Sequence, residues 1–185
     1  MNVSNTTPLR RMVYAALFGA LTAMGAFMVI PLQPVPITLQ TLFTGLAGIL
    51  LGGATGAMSQ IVYVLLGIIG LPVFSGGKAG IGILFGPSGG YLIGFIVGAY
   101  VIGKLTEARR KPGLFWVLMT LFIGNVVIYS LGTVQLMVVA HLSLYKALLV
   151  SVAPFLIGDL IKLMTTAWIA IKLSKYFPGR GGTLE

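Results

Sequence analysis

The chain has 185 residues, of which 57% are hydrophobic and only 8% are charged, with 12 Lys and Arg against 3 Asp and Glu. A soluble domain carries about 25% charged residues on average, so this composition indicates an integral membrane protein. The sequence contains no cysteine, which excludes disulfides, thiolate chemistry and cysteine metal sites. The apolar runs are continuous where the strands of a β-barrel would alternate, and this favours transmembrane helices.

Apolar segments in chain order predict a bundle of six transmembrane helices, at about residues 12–30, 37–51, 55–71, 89–103, 114–139 and 153–173. Most of them approach the roughly 20 residues that a helix needs to cross a bilayer, although the second and the fourth are short. We therefore predict a single all-α transmembrane domain over residues 1–185. Residues 1–11 and 176–185, approximately, are predicted to be flexible cytoplasmic tails.

Basic residues predict the orientation of this bundle, because short loops rich in Lys and Arg stay in the cytoplasm. They form three clusters: Arg10 and Arg11; Lys104, Arg109, Arg110 and Lys111; and Lys172, Lys175 and Arg180. Six crossings place all three clusters on one side, so both termini are predicted to be cytoplasmic, and Lys78 and Lys146 external. The clusters flank membrane segments without interleaved aromatic residues, which predicts contact with lipid head groups and no nucleic-acid partner.

The first external connector, residues 31–40, contains three prolines in alternation and is predicted to be stiff and extended. Thr38 and Gln40 provide hydrogen-bonding groups at the start of a helix otherwise made of Leu, Phe and Gly. We predict that these two side chains line the opening of a pocket. The alternative is a tight uncharged turn between two helices.

The second external segment, residues 70–91, is long and rich in glycine. Long loops in compact domains are often functional, and glycines let backbone groups approach a ligand. The segment does not match a Walker motif, because Gly77-Lys78 is followed by Ala79 and Pro72 occupies the position of the first glycine. The chain is therefore predicted not to hydrolyse ATP itself. The alternative for this segment is a re-entrant loop packed among the helices.

The last apolar segment contains two charged residues, Asp159 and Lys162, whose spacing places them on one face of a helix. Each costs about 2.5 to 3.5 kcal/mol at the bilayer centre, so another interaction must offset that cost. Two interpretations stay open: a structural ion pair that fixes helix packing, and a site for a polar ligand. Pro154 is predicted to be an early residue of this helix and Ser151 its cap, which leaves residues 141–150 as a separate short external segment.

Two further polar residues have simpler explanations. Asn125, within the fifth helix, is a candidate ligand contact, and the alternative is a hydrogen bond between helices. His141 has neither a second histidine nor clustered carboxylates nearby, so we predict a surface residue and no metal site.

An enzyme is not predicted, because Asp159 has no second carboxylate or histidine at membrane depth with which to perform acid–base chemistry.

Four short motifs occur in a distinctive order: PVPITLQT at 34–41, LPVF at 71–74, GPSGGYL at 86–92 and GDLIK at 158–162. Together they resemble the BioY family, the biotin-specific substrate-binding membrane subunits (S components) of energy-coupling-factor (ECF) transporters. The resemblance extends from about residue 15 to residue 162. The sequence differs at Ser88, where threonine is the more usual residue, and both residues carry a hydroxyl.

The resemblance implies a multi-pass protein of a prokaryotic cell membrane that captures biotin from the external side. Its partners would be a transmembrane coupling protein and two cytoplasmic ATPases, and it would need no cofactor. The alternative is a self-sufficient carrier or channel for biotin or another small solute, which would support uptake in cells that lack the energising module.

The implied ligand also suggests roles for the candidate residues. An ionised Asp159 can accept hydrogen bonds from the ureido N–H groups of biotin, and Lys162 can bind an oxygen atom of the ligand. The rest of the predicted site is Asn125, Gln40, Thr38, Phe74, Tyr91 and Gly89, with the two aromatic residues covering the ring system. Which group meets which end of biotin stays open.

Small residues on the first helix suggest a docking face. The resemblance implies that Ala16 and Ala20 contact the coupling protein, beside a parallel row formed by Ala15, Gly19 and Ala23. Small residues at four-residue spacing also serve packing within a bundle, which is the alternative.

Overall fold

Helices account for most of the chain in the computed structural model, which describes residues 8–109 and 111–177 apart from the side chain of Lys175. The α-helices are α1 (Pro8–Phe27), α2 (Gln40–Leu51), α3 (Gly53–Ile68), α4 (Gly89–Glu107), α5 (Leu114–Ala140), α6 (Leu144–Ser151) and α7 (Leu156–Leu173). Short 3-10 segments lie at Ile81–Phe85, Ala153–Phe155 and Ser174–Tyr176. The short α6 precedes α7 where the sixth helix was predicted, so the predicted bundle of six principal helices is confirmed.

The start of the sixth principal helix differs from the sequence prediction in one respect. Pro154 lies in the 3-10 segment that leads into α7, as an early helical residue should. The predicted cap at Ser151 is wrong, because Ser151 is the last residue of α6 and its hydroxyl lies 3.0 Å from that of Thr133. The hydroxyl bonds across to α5 because Ser151 is fully buried against it, whereas a capping residue would turn toward its own helix start.

Parts of the predicted tails and basic clusters fall outside the described residues, namely residues 1–7 and 178–185 with Arg180, and Arg110. Residues 8–11 of the predicted N-terminal tail belong to α1. His141 is exposed and ends α5 with a left-handed backbone, φ 52°.

Three stretches of the described chain are long and apolar enough to cross a membrane: Gly89–Glu107, Leu114–Ala140 and Leu144–Leu173. α2 and α3 are apolar but have only 12 and 16 residues, which correspond to about 18 and 24 Å at the usual helical rise. The outer faces are also apolar. On α7, for example, Ile157 is 81% exposed and Trp168 is 64% exposed. A surface of this kind is stable in lipid and would be an aggregation hazard in water.

Close contact between α4 and α5 depends on two glycines. A Cβ atom at Gly94 would lie 3.0 Å from the backbone of Ile128, and one at Gly98 would lie 2.6 Å from the Ile128 side chain. Glycines permit this approach, which is how membrane helices commonly associate. The contact brings Tyr91 of α4 next to Tyr129 of α5, with ring centroids 6.1 Å apart.

The turn between α2 and α3 consists of a single residue outside the helices, Gly52, with φ 82°. The first backbone N–H of α3, at Gly53, donates a 2.9 Å hydrogen bond to the Glu107 carboxylate at the end of α4. Negative charge is favourable at the start of a helix. The end of α4 is thus held against the start of α3.

The proline-rich connector and the 70–88 segment are both tied to helices. The proline-rich connector forms a ribbon in which strands β1 (Val29–Ile30) and β2 (Ile37–Thr38) pair antiparallel. The 70–88 segment is held by Gln135 of α5, whose side-chain amide donates to the carbonyl oxygens of Leu84 and Gly86 at 2.6 and 2.8 Å. Both segments therefore have fixed positions above the helix ends.

The interior has two layers. An aliphatic cluster that includes Leu46, Ile49, Leu50 and Leu121 packs α2 against α4, α5 and α7. An aromatic cluster contains Tyr63, Phe74, Tyr91, Phe95 and Phe155. The aromatic layer lies next to the proline-rich connector and the 70–88 segment, and several of its residues line a cavity.

Candidate ligand-binding site

The cavity has a volume of about 190 Å³ and is lined by the proline-rich connector, the 70–88 segment, the first turns of α2 and α4, the middle of α5, and Lys162 of α7. Its lining combines prolines of the connector, aromatic rings and a few polar groups. The lining residues with polar groups in their side chains are Thr38, Gln40, Thr41, Ser75, Lys78, Ser88, Lys162 and two tyrosines, Tyr91 and Tyr129. Ligand sites are commonly built in this way, with apolar walls and a small number of polar groups that fix orientation.

Lys162 and Asp159 form an ion pair in α7, with 2.6 Å between the Lys162 Nζ and Asp159 Oδ1 atoms. Both side chains are about nine-tenths buried. The same ammonium donates to the Thr38 carbonyl oxygen at 3.2 Å and to the Thr41 hydroxyl at 3.3 Å. A lysine has three N–H donors, so these contacts occupy all of them. The pair therefore links α7 to the start of α2.

Tyr129 completes the pair from α5 by donating its hydroxyl hydrogen to Asp159 Oδ2. Its ring lines the cavity and packs edge-on against Tyr91, at an interplanar angle of 86°, and against Phe155, 5.9 Å away. Asp159 itself is not among the residues that line the cavity. The carboxylate contacts Lys162 and Tyr129, and both of these side chains line the cavity.

A second polar group at the cavity is built by Thr38 and Gln40. The Thr38 hydroxyl donates to Gln40 Oε1 at 2.7 Å, and Gln40 Nε2 donates to the Tyr63 hydroxyl at 2.6 Å. Gln40 is 4% exposed and Tyr63 is completely buried, so each needs this partner. The amide of Gln40 thus has a fixed orientation at the cavity wall.

A third polar cluster lies between α1, α2 and α3, and its side chains form hydrogen bonds with one another. Gln60 donates to Thr22 and Ser59 at 3.1 and 3.0 Å and accepts from Thr44 at 3.2 Å. All four side chains are fully buried, and none lines the cavity. This cluster joins the three helices and offers no group to a ligand in the cavity.

Phe74, which is 1% exposed, forms part of the cavity wall. Its ring occupies the space that a side chain at Gly67 would fill and meets the Tyr63 ring edge-on at 5.7 Å. The aromatic residue of the LPVF motif is thereby inserted from the 70–88 segment into the helix bundle.

The structure brings together five of the eight predicted ligand contacts, because Thr38, Gln40, Phe74, Tyr91 and Lys162 all line the cavity. Asp159 touches it only through Lys162 and Tyr129. Gly89 begins α4 one residue after Ser88, which does line the cavity. A Cβ atom at Gly89 would collide with the Leu84 carbonyl group, so this glycine permits close packing of the loop.

Asn125 lies elsewhere. It lines a separate groove of about 630 Å³ between α5 and the α6–α7 unit, together with apolar residues such as Leu156 and Leu160. Asp159 and Tyr129 both line this groove, and Tyr129 also lines the cavity. The hydrogen-bonded Tyr129 and Asp159 side chains therefore lie between the groove and the cavity.

Four residues belong to the site without having been predicted from the sequence: Tyr129, Thr41 and Lys78, which line the cavity, and Tyr63, which bonds Gln40. Tyr129 occurs in a helix that is apolar on all sides, and nothing in that pattern distinguishes it. Thr41 follows Gln40 directly, and this proximity was an available signal. Lys78 was recognised only as one of two basic residues on the predicted external side. Among the described residues, no group of three histidine, aspartate or glutamate side chains is placed to bind a metal ion.

On α1, Ala16 and Ala20 are exposed, whereas the parallel row of Ala15, Gly19 and Ala23 is buried. A Cβ atom at Gly19 would lie 2.9 Å from the Ser59 carbonyl oxygen, so the buried row packs against α3. The exposed pair is therefore not used for packing within the bundle.

Comparison with known proteins identifies one family, both from the sequence and from the fold. The model of the BioY family matches residues 1–179. The chain is 45% identical over 167 residues to the biotin transporter BioY of Thermotoga maritima, covering 90% of this chain and 97% of that protein. It is 38% identical over 179 residues to the biotin transporter BioY of Rhizobium etli, covering 91% and 95%.

Among solved structures, the chain is similar to the S-component for biotin from an ECF-type ABC transporter, with a TM-score of 0.84 and 30% identity. The similarity covers 97% of this chain and 96% of that one. Family match, sequence identity and fold thus agree over nearly the whole length. The chain belongs to the BioY family.

Proposed function

We propose that this integral membrane protein binds biotin in the cavity and acts as the biotin-specific S-component of an ECF-type ABC transporter. Membership of the BioY family supports the ligand and the role. The observation that carries the site is the Lys162 ammonium, which is buried, faces the cavity and has its charge balanced by Asp159. A neutral polar group of a ligand, such as the ureido group of biotin, can be bound there without leaving a charge unpaired.

The groups around the cavity suit the parts of biotin. The two N–H donors of the ureido ring match the acceptors of Thr38 and Gln40. Its carbonyl oxygen matches the ammonium of Lys162, which would exchange its 3.3 Å contact with the Thr41 hydroxyl for the ligand. The apolar thioether ring matches the walls formed by Phe74 and Tyr91. Asp159 contributes by holding Lys162 in place. Asn125 is outside the proposed site because it lines the groove.

The orientation in the membrane is part of the same proposal. The cavity lies at the start of α2 and of α4, whereas Arg10, Lys104 and Lys172 lie at the opposite ends of their helices, near the start of α1 and the ends of α4 and α7. Short basic segments stay cytoplasmic. The cavity is then external, and both termini are cytoplasmic.

Calorimetry on the purified protein tests the proposed ligand. Biotin is expected to bind tightly without ATP, and riboflavin and thiamine, titrated alongside, are expected to give no binding heat. The reason is that the cavity offers polar groups for a ureido ring and the chain has no nucleotide motif. Equal heats for the three vitamins, or none for biotin, would contradict the proposal.

Transport in this proposal depends on an energising module that consists of a coupling protein and two ATPases. The coupling protein is proposed to dock on Ala16 and Ala20. Ala16→Trp and Ala20→Trp are each expected to retain biotin binding and to lose co-purification with the coupling protein, because bulk prevents close helix approach. Met164→Trp, on the exposed face of α7, is the control and should leave the complex intact. Loss of biotin binding with a surviving complex would show that the alanines serve the fold.

A further inference from the structure

The two oxygen atoms of the Asp159 carboxylate are bound by two different donors. Oδ1 lies 2.6 Å from the Lys162 ammonium, and Oδ2 accepts the hydroxyl hydrogen of Tyr129. Asp159 is only 7% exposed, so its carboxylate is largely removed from its surroundings. A buried carboxylate is stable when its oxygens have hydrogen-bond partners. The Tyr129 hydroxyl therefore provides the partner of the second oxygen.

Asp159 also lines the groove between α5 and the α6–α7 unit. Leu156 and Leu160 of the same groove are each 61% exposed, as expected of residues that contact lipid. A charged oxygen without a donor is unfavourable at such a place. Because Tyr129 lines both the groove and the cavity, its hydroxyl can bind the carboxylate without taking a donor away from the cavity side.

The Tyr129 ring is held by two neighbouring aromatic rings. Tyr91 meets it edge-on at 6.1 Å, and Phe155 meets it at 5.9 Å with an interplanar angle of 69°. Such edge-to-face pairs are favourable beyond the apolar area that they bury. The hydroxyl thus has a defined position in the unliganded protein.

This hydrogen bond has a consequence for Lys162. The ammonium also contacts the Thr38 carbonyl oxygen and the Thr41 hydroxyl, and both threonines line the cavity. Without the Tyr129 hydroxyl, the ammonium would have to satisfy both carboxylate oxygens, since the contacts described give Asp159 no other side-chain donor. Asp159 would then draw the ammonium away from the cavity, where a ligand needs it.

We propose that Tyr129 is a positioning residue for ligand binding: by donating to Asp159, it leaves the Lys162 ammonium available to an acceptor of the ligand. This assignment rests on the proposed function and adds to the site a hydroxyl group that the ligand does not touch. The Tyr129 ring forms part of the cavity wall, whereas its hydroxyl acts through Asp159.

The test measures biotin affinity by calorimetry and stability by thermal unfolding for wild type, Tyr129→Phe and Tyr129→4-aminophenylalanine. Phenylalanine keeps the ring without the donor, whereas 4-aminophenylalanine keeps an N–H donor that is a poor acceptor. Tyr129→Phe is expected to bind biotin about tenfold more weakly, as for the loss of one hydrogen bond to a charged group. The amino variant should bind biotin almost as tightly as wild type.

Tyr145→Phe is the matched control, because it removes the hydroxyl of a tyrosine on α6 that is 73% exposed and does not line the cavity. This variant should bind biotin as wild type does.

Two results would overturn the assignment. Lower stability of Tyr129→Phe with unchanged biotin affinity would mean that the hydroxyl serves only the fold. Equally weak binding by Tyr129→Phe and the amino variant would mean that the hydroxyl oxygen accepts a hydrogen bond from the ligand directly. Both results require that wild type binds biotin. A wild-type protein that does not bind biotin would instead contradict the proposed function, so the two failures are distinguishable.

Discussion

Replacing Lys162 by methionine is expected to destabilise the protein by about 3 to 5 kcal/mol, because it leaves the buried carboxylate of Asp159 without its cation. Tyr129 would then be the one remaining donor to that carboxylate among the contacts described. Biotin binding should fall below detection, because the cavity also loses its buried polar donor. Denaturation in detergent measures the stability, and calorimetry measures the binding.

The double variant Asp159→Leu with Lys162→Met separates a structural role of the pair from a role in binding. Without either charge, only neutral groups such as the Tyr129 hydroxyl lose partners, at about 1 to 3 kcal/mol, so the double variant should be more stable than Lys162→Met. Addition of Tyr129→Phe should recover part of the remaining loss. None of these variants is expected to bind biotin. Tight binding by the double variant would show that the pair is only structural.

Gly67→Leu is expected to weaken biotin binding by about 10- to 100-fold, because a side chain at this position must displace the Phe74 ring from the bundle. The estimate corresponds to losing the burial of one large apolar side chain, about 1.5 to 3 kcal/mol. Stability should fall by about 1 to 3 kcal/mol, as is usual when a packed interior is overfilled.

Ala54→Leu provides the matched control, since Ala54 is an exposed residue of the same helix. This variant should bind biotin with wild-type affinity. If Gly67→Leu also binds normally, then Phe74 is not a wall of the biotin site, whatever its packing in the unliganded protein.

The LPVF and GPSGGYL motifs show which features of the site a short sequence pattern predicts and which depend on packing. Both were assigned to the site from the resemblance alone, and the structure places Phe74 and Tyr91 of these motifs on the cavity. The glycines around them are explained only by the packing. Gly67, four residues before LPVF, receives the Phe74 ring, and Gly89 permits the Leu84 carbonyl group to approach α4.

The sequence by itself determined the protein class and the number of principal helices, because hydropathy and helix length are properties of consecutive residues and a bilayer imposes both. It also indicated that Asp159 and Lys162 share a helix face, since that depends only on their spacing. The division of the last segment into α6 and α7 was likewise indicated by Pro154.

Only the tertiary structure decided which polar groups meet. Asn125 and Tyr129 lie one helical turn apart on α5 and both line the groove, but only Tyr129 also lines the cavity and bonds Asp159. This difference follows from the rotation of α5 and its placement against α4, which the glycine contacts between the two helices help to set. Because α5 is apolar on all sides, its own sequence carries no amphipathic pattern from which the rotation could be read. The position of Lys78 on the cavity was also decided by the tertiary structure, since it depends on the burial of Phe74 four residues earlier.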